Sequence, residues 1–266
     1  MSTNTIEVGR DAGTATLTLN RPDRFNALDD AMARDLNRLT AELAADESVR
    51  CVVIRGAGGN FQAGGDIEYF RAGLEHPVEE REGEIRSIIG EVHAAITNIR
   101  GMPKPVIAAV EGAAAGFGIS LLAACDLAIA ADNARFTLAY CLIGTSPDGG
   151  STYALPRMVG SKRAMELALL GERFDAARAE SMGLVNRVVP VDALDGAVAK
   201  LAAHLAEGPT LAYAQAKALI NNSWNNDLSA QLDDEMERFA RCALSDDFAE
   251  GVRAFCEKRP ARFVGR

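Results

Sequence analysis

The run "KPVIAAVEGAAAGFGISLLAACDLAIAAD", residues 104–132, decides how this chain folds. "KPVIAAVEG" is continuously apolar at its centre, without the polar–apolar alternation of a half-exposed strand, and reads as a strand buried on both faces. "AAAGFG" is a turn, and "ISLLAAC" is the apolar helix it enters. "DLAIAAD" is a second buried strand. A strand, a turn, a helix and a strand in that order put the two strands parallel in one sheet.

Outward from this run the pattern repeats. "CVVIRG" (51–56) is another short buried strand, followed by the Gly-rich loop "GAGGNFQAGGDIEYF". Before it, Ala15, Leu17 and Leu19 alternate with threonines as a half-buried strand, and "NRPDRFNAL" is a loop. Met32, Leu36, Leu39 and Leu43 recur at helical spacing, with Asp29 or Asp30 as the N-cap. Residues 75–86 are rich in Glu and Arg and read as a solvated, mobile stretch. Helical spacing resumes through Ile88, Val92, Ile96 and Ile99. From Ser161 onward the chain reads as helices: "SKRAMELALLG" opens on Ser161 and "DAARAESMG" on Asp175, each closing on a glycine. Breaks are expected at Gly208–Pro209 and near Asn225. The sequence thus predicts an α/β fold with a largely parallel sheet over residues 1–191 and a helical C-terminal region over 192–266.

Bulk properties narrow the function. The chain has 266 residues, an ordinary charged fraction of 24% and a formal net charge of -9. That charge argues against a nucleic-acid surface, which needs a basic stripe. An anionic ligand would have to meet local cations or helix N-termini against the overall field. No membrane span or secretory signal is read, so a cytoplasmic location is expected. The five cysteines (Cys51, Cys125, Cys141, Cys242, Cys256) show no metal-ligand spacing. They read as buried free thiols, with neither a disulfide nor a metal site expected.

Three Gly-rich turns follow putative strands: "QAGGD" (62–66), "AAAGFG" (113–118) and "SPDGGS" (146–151). In parallel α/β sheets such turns converge on the edge where ligands bind. Glycine lets backbone N–H groups approach a ligand, and two donors aimed at one oxygen form an oxyanion hole. Each turn alone could be only a turn.

Together with their flanks they carry a resemblance. "LNRPDRFNAL", "FQAGGDI", "KPVIAAVEGAAAGFG", "CDLAIAADNARF", "GTSPDGGSTYALPRMVG", "AMELALLGERFDAARAESMGLVNRVV" and "EGVRAFCEKRPARF" occur in order along nearly the whole chain. It resembles the crotonase, or enoyl-CoA hydratase/isomerase, superfamily, and most of all its ring-1,2-epoxyphenylacetyl-CoA and enoyl-CoA isomerases. The resemblance implies a ββα spiral core with a helical tail that trimerises, as a homotrimer or a dimer of trimers. It also implies an acyl-CoA substrate whose thioester oxygen is held by the backbone N–H groups of Gly65 and Phe117. Many members have glycine at the second position, but an amide N–H is what is needed, and any residue except proline supplies it. No tightly bound cofactor is implied; coenzyme A arrives as part of the substrate.

Which reaction follows depends on the groups facing the acyl chain. Members that add water resemble one another in two glutamates, whose positions here hold Ser120 and Tyr140. Asp148, in "SPDGG", matches the aspartate that the isomerases carry as a proton-shuttling base. One carboxylate suffices for an isomerase, which returns to carbon the proton it removed. The alternative is that Asp148 only caps a helix or closes an Asx-turn. Tyr140 could bond Asp148, bond a ligand or wall the pocket. His93, with Tyr140 and Asp148, also resembles the constellation of the 4-chlorobenzoyl-CoA dehalogenases, which would suit nucleophilic attack or hydrolysis. A hydratase and a catalytically inactive CoA-binding scaffold are the remaining readings. By resemblance CoA lies along Arg24, Ala63, Asp66 and Ile67, with Phe255 and Lys258 reaching it from the C-terminal helices, in the same subunit or a neighbouring one.

Overall fold

The continuous apolar runs have a direct structural cause. Val52, Ile54, Val106, Ala108, Val110, Ala128 and Ala130 pack into one buried cluster, and Cys51, Val53, Ile107, Ala109, Ile129 and Ala131 into another. Alternate residues of the same strands thus face opposite sides of one sheet, and both sides are covered. The computed structural model describes residues 4–266.

In chain order the elements are β1 (Ile6–Asp11), β2 (Thr14–Leu19), α1 (Asp30–Ala45), β3 (Cys51–Gly56), α2 (Ile67–Gly73), α3 (Val78–Gly101), β4 (Val106–Val110), β5 (Ala113–Ala115) and α4 (Phe117–Ala124). They continue with β6 (Leu127–Ala131), β7 (Arg135–Thr137), α5 (Ser151–Val159), α6 (Ser161–Leu170), β8 (Phe174–Asp175), α7 (Ala176–Ser181) and β9 (Arg187–Val189). The tail is α8 (Leu194–Ala206), α9 (Thr210–Asn222), α10 (Leu228–Ala243) and α11 (Asp246–Glu257). A six-stranded sheet has the order β1-β2-β3-β4-β6-β9, and a three-stranded sheet the order β5-β7-β8. Only β1 is antiparallel in the large sheet.

The chain winds as a spiral. β4, β5 and α4 form one turn and β6, β7 and α5 the next, each turn giving one strand to each sheet. The preceding turn does the same in miniature: after β3, Gln62 bridges to Ala114 of β5 before α2 begins. This winding stacks the loops that lead into α2, α4 and α5, the three Gly-rich turns, along one edge. Leu194, Val198, Ala202 and Leu205 of α8 cover one face of the large sheet. Met32, Leu36 and Leu43 of α1 with Ile88, Val92 and Ile99 of α3 cover the other. The tail is tied to the core by Lys217 of α9, which donates to the Ile99 carbonyl and pairs with Asp126 at 2.8 Å.

Several expectations need correction. The polar stretch 75–86 is helical from Val78, because Ile85 continues the face of Ile88 and Val92, and Glu82 pairs with Arg86 four residues on. The chain after Ser161 is not all helix: β8 and β9, two and three residues long, are too short to show a period. β1 carries five exposed residues of six and gave no strand signal. Asp29, not Asp30, caps α1, accepting from the Met32 amide. Gly160 holds the cap position of α6, so Ser161 is its first residue. The five cysteines are free, but only Cys51 is fully buried, and Cys256 is exposed on α11. Among the described residues no helix is long and apolar enough to cross a membrane.

The close stacking of the spiral turns depends on Gly118, where an added Cβ would sit far inside contact distance of the Gln62 carbonyl. Backbone cannot swing aside as a flexible side chain can. We expect Gly118→Ala to destabilise the fold by about 2–3 kcal/mol, read as a lower denaturation midpoint; an unchanged midpoint would show that this contact relaxes freely.

Candidate active site

Gln62 builds the first half of the site. It is fully buried, and its side-chain amide donates to the Gly64 carbonyl while its Oε1 accepts from the Gly64 amide, both at 2.8 Å. The loop is thereby pinned with Gly64 at φ +94°, a conformation that favours glycine. Gly116, at φ +49°, lies against it, and a Cβ on Gly116 would stand 3.4 Å from the Gly64 Cα. That distance is ordinary contact, so it is the positive φ at both residues, more than crowding, that favours glycine here. The amides that follow, Gly65 and Phe117, belong to adjoining turns and find no acceptor among the described residues. Phe117 is also the first residue of α4, whose unpaired N–H groups and positive dipole end add to the field there.

The third turn supplies the acid group. Gly149, at φ +59°, packs so closely that a Cβ there would lie 2.8 Å from Ser120 Cβ and 3.0 Å from the Phe117 ring. Ser120 Oγ donates to the Asp148 carbonyl at 2.8 Å. The loop is thus seated on the N-terminal end of α4, and Asp148 lines the same cavity as Gly65 and Phe117. Its Oδ1 accepts a hydrogen bond from the Tyr140 hydroxyl. Burial pushes the Asp148 carboxyl up from the usual carboxylate range, while the Tyr140 hydroxyl and the charge of His93 pull against that shift. Burial, followed by the Asp148 charge, pushes the Tyr140 phenol up, so Tyr140 is a neutral donor.

The cavity measures about 2200 Å³. Its apolar wall includes Phe70, Leu74, Ile85, Ile88, Ile89 and Val92 of α2, α3 and their connection. His76 and Glu84 pair at 3.0 Å across that connection. Five arginines (Arg71, Arg81, Arg135, Arg173, Arg178) line it against three carboxylates, Glu84, Asp148 and Asp175. Arg71 pairs with Glu68 and Arg178 with Glu166, so Arg81, Arg135 and Arg173 are the cavity arginines without an ion-pair partner among the described residues, and these can meet phosphates.

Of the residues singled out from sequence, Gly65, Phe117, Asp148, Tyr140, His93, Ala63 and Ile67 all line this cavity. Four are not among its lining residues. Arg24 sits exposed in the turn Pro22–Arg24. Asp66 is 7% exposed, caps α2 and pairs with Arg21 at 2.8 Å, which holds its carboxyl below the ordinary carboxylate value despite its burial. Phe255 is 86% exposed on α11, and Lys258 ends that helix in a left-handed conformation. Sequence reasoning missed Gln62 as the pin of the loop, although a glutamine beside paired glycines was the available signal. It also missed the apolar wall as a wall: Ile85 lies in the stretch read as solvated, and Ile88 and Val92 were read only as the apolar face of a helix.

A pair of free amides and a half-buried carboxylate thus share one cavity, an arrangement chemically able to hold an oxygen that gains negative charge. A profile of the enoyl-CoA hydratase/isomerase family matches residues 9–266. The chain is 37% identical over 254 residues to the 1,2-epoxyphenylacetyl-CoA isomerase of Escherichia coli, covering 96% of each chain. It is 41% identical over 268 residues to a probable enoyl-CoA hydratase of Rhodobacter capsulatus, covering all of both. A crystal structure of a putative enoyl-CoA hydratase/isomerase from Mycobacterium abscessus superposes with a TM-score of 0.93 at 31% identity, over 98% of this chain and 100% of that one. The chain belongs to the enoyl-CoA hydratase/isomerase family of the crotonase superfamily, and it is an acyl-CoA enzyme.

Proposed function

We propose that this enzyme isomerises an enoyl-CoA, shifting a double bond or rearranging a ring-epoxide acyl-CoA, with Asp148 as the base. The observation that carries this reading is the half-buried Asp148 carboxylate, which lines the same cavity as the free Gly65 and Phe117 amides and has no ion-pair partner among the described residues. Of the other two cavity carboxylates, Glu84 is held by His76, and Asp175 caps α7.

The mechanism follows from those groups. The thioester oxygen accepts from the Gly65 and Phe117 amides. Asp148 removes a proton from the α-carbon of a β,γ-enoyl-CoA, and the electron pair moves into a dienolate whose negative charge rests on that oxygen. The carboxylic acid then returns the same proton at the γ-carbon, leaving the α,β-unsaturated thioester and a carboxylate. Nothing is consumed and no second acid is needed. Ser120 and Tyr140, where water-adding members resemble one another in glutamates, both bond Asp148 instead. The apolar α2–α3 wall suits a hydrophobic acyl chain or ring, and the cavity arginines suit the phosphates of CoA.

One observation favours a second reading. His93 lines the cavity and its charge reaches Asp148, an arrangement that also suits hydrolytic, dehalogenase-like attack. Incubation of a β,γ-enoyl-CoA panel in ¹⁸O-water separates the two. Isomerisation gives a conjugated product without label; hydration or hydrolysis incorporates it, and CoA binding without turnover would mean a scaffold.

We further propose that the chain assembles as a homotrimer or a dimer of trimers. Leu228, Leu232, Met236 and Phe239 form an exposed apolar stripe along α10, which suits burial against another copy. In such an assembly Phe255 and Lys258 would reach CoA bound to a neighbouring subunit. A monomeric mass by light scattering would overturn this.

A further inference from the structure

We infer that Tyr140 is a positioning residue, which fixes the aim of the Asp148 carboxylate and keeps it charged in the cavity. The inference rests on Asp148 being the base proposed above. Tyr140 opens the turn Tyr140–Ile143, entered through Ala139 in a left-handed conformation, so its side chain is set by backbone geometry. Its hydroxyl donates to Oδ1, whereas Oδ2 accepts no hydrogen bond among the described residues. Carboxylate rotation about its last torsion is soft. A donor locked onto one oxygen removes that freedom and leaves the second oxygen for the substrate.

The same bond bears on protonation. Groups face Asp148 from three packed elements: Tyr140 from its turn, His93 from α3 and Ser120 from α4. Ser120 holds the main-chain carbonyl rather than the carboxylate, as does Ser151 at 3.2 Å. Tyr140 is therefore the side-chain donor acting on the carboxylate itself, with a weaker pull from the main-chain amide of Asp148. A hydrogen bond to the charged form favours that form, so loss of the hydroxyl must raise the pH at which Asp148 takes up a proton. A base works only when deprotonated, so activity would then fail at a higher pH on the acid side.

Tyr140→Phe keeps the ring and removes only the donor. We expect the acid limb of kcat/KM to move up by about one pH unit, with kcat about tenfold lower at neutral pH and KM little changed. In the free enzyme, ¹³C NMR of labelled aspartate, assigned with Asp148→Asn, should show Asp148 titrating at a correspondingly higher pH. Fluorotyrosine at position 140, a stronger donor, should move both midpoints down. A Tyr140→Phe enzyme whose acid limb and NMR titration both match the wild type overturns the inference. Full activity in Asp148→Asn would instead remove Asp148 as base, and the NMR titration would still report whether Tyr140 governs that carboxylate.

Discussion

Asp148→Asn should lower kcat for enoyl-CoA isomerisation by about 10³-fold, the range lost when a positioned general base is removed. The amide is nearly isosteric with the carboxylate and its Oδ1 can still accept from Tyr140, so the loop stays seated on Ser120. Loss of rate would then report chemistry rather than collapse of the site. Substrate affinity should change little, because in the proposed mechanism the Gly65 and Phe117 amides grip the thioester and the apolar wall of the cavity takes the acyl group. Kinetics and CoA-analogue binding on the same preparation make the comparison. A variant that isomerises at the wild-type rate would end the role of Asp148. One that fails to bind would show that the carboxylate holds ligand or loop instead.

The wild-type pH profile carries a related expectation. Burial raises the Asp148 carboxyl above its ordinary value. Activity should therefore fall off on the acid side at a pH above the ordinary carboxylate midpoint, and the limb should vanish in Asp148→Asn. A rate that stays flat down through that ordinary midpoint would mean the base is another group.

The parts legible in the sequence were those with a strong local cause. Buried parallel strands announce themselves because both faces are covered, which forces Val106 to Val110 and Leu127 to Ala131 to be apolar throughout. The three glycine turns were legible because Gly64, Gly116 and Gly149 occupy left-handed or crowded positions. That the turns meet was not readable from any one of them; it depends on the spiral stacking, and only family resemblance anticipated it. The α3 start was missed because its first turns are exposed, so the apolar signal of Ile85 is diluted by six charged residues from Glu79 to Arg86. β8 and β9 owe their existence to the strands beside them, Phe136 pairing with Phe174 and Ala130 with Val188, rather than to their own composition. Ser120 shows the limit most clearly. Its type excluded a glutamate acid but gave no hint that its hydroxyl anchors the Asp148 carbonyl 28 residues on.

The oxyanion site allows a test that leaves every side chain in place. Replacing the residue-117 amide by an ester, with phenyllactate incorporated for Phe117, exchanges one N–H for an oxygen and keeps the phenyl ring packed against Gly149. That N–H has no acceptor among the described residues, so within the fold the swap only weakens the Gly116 carbonyl as acceptor for the Ile119 amide, and the thermal midpoint should fall slightly. The dienolate, by contrast, loses one of its two donors and meets an ester oxygen that repels its charge. Removal of a single oxyanion-hole donor typically costs about 10²–10³ in kcat, or ~3 kcal/mol of transition-state stabilisation. We expect a loss of that size, with KM changed far less than kcat, since the donor is worth most when the oxygen is fully charged. The ester also perturbs the first turn of α4, so a control ester at Leu121, inside the same helix, separates dipole loss from donor loss. If both esters reduce kcat equally, the Phe117 amide is not aimed at the reacting oxygen. Should only the residue-117 ester fail, negative charge on the thioester oxygen is what this cleft is built to hold.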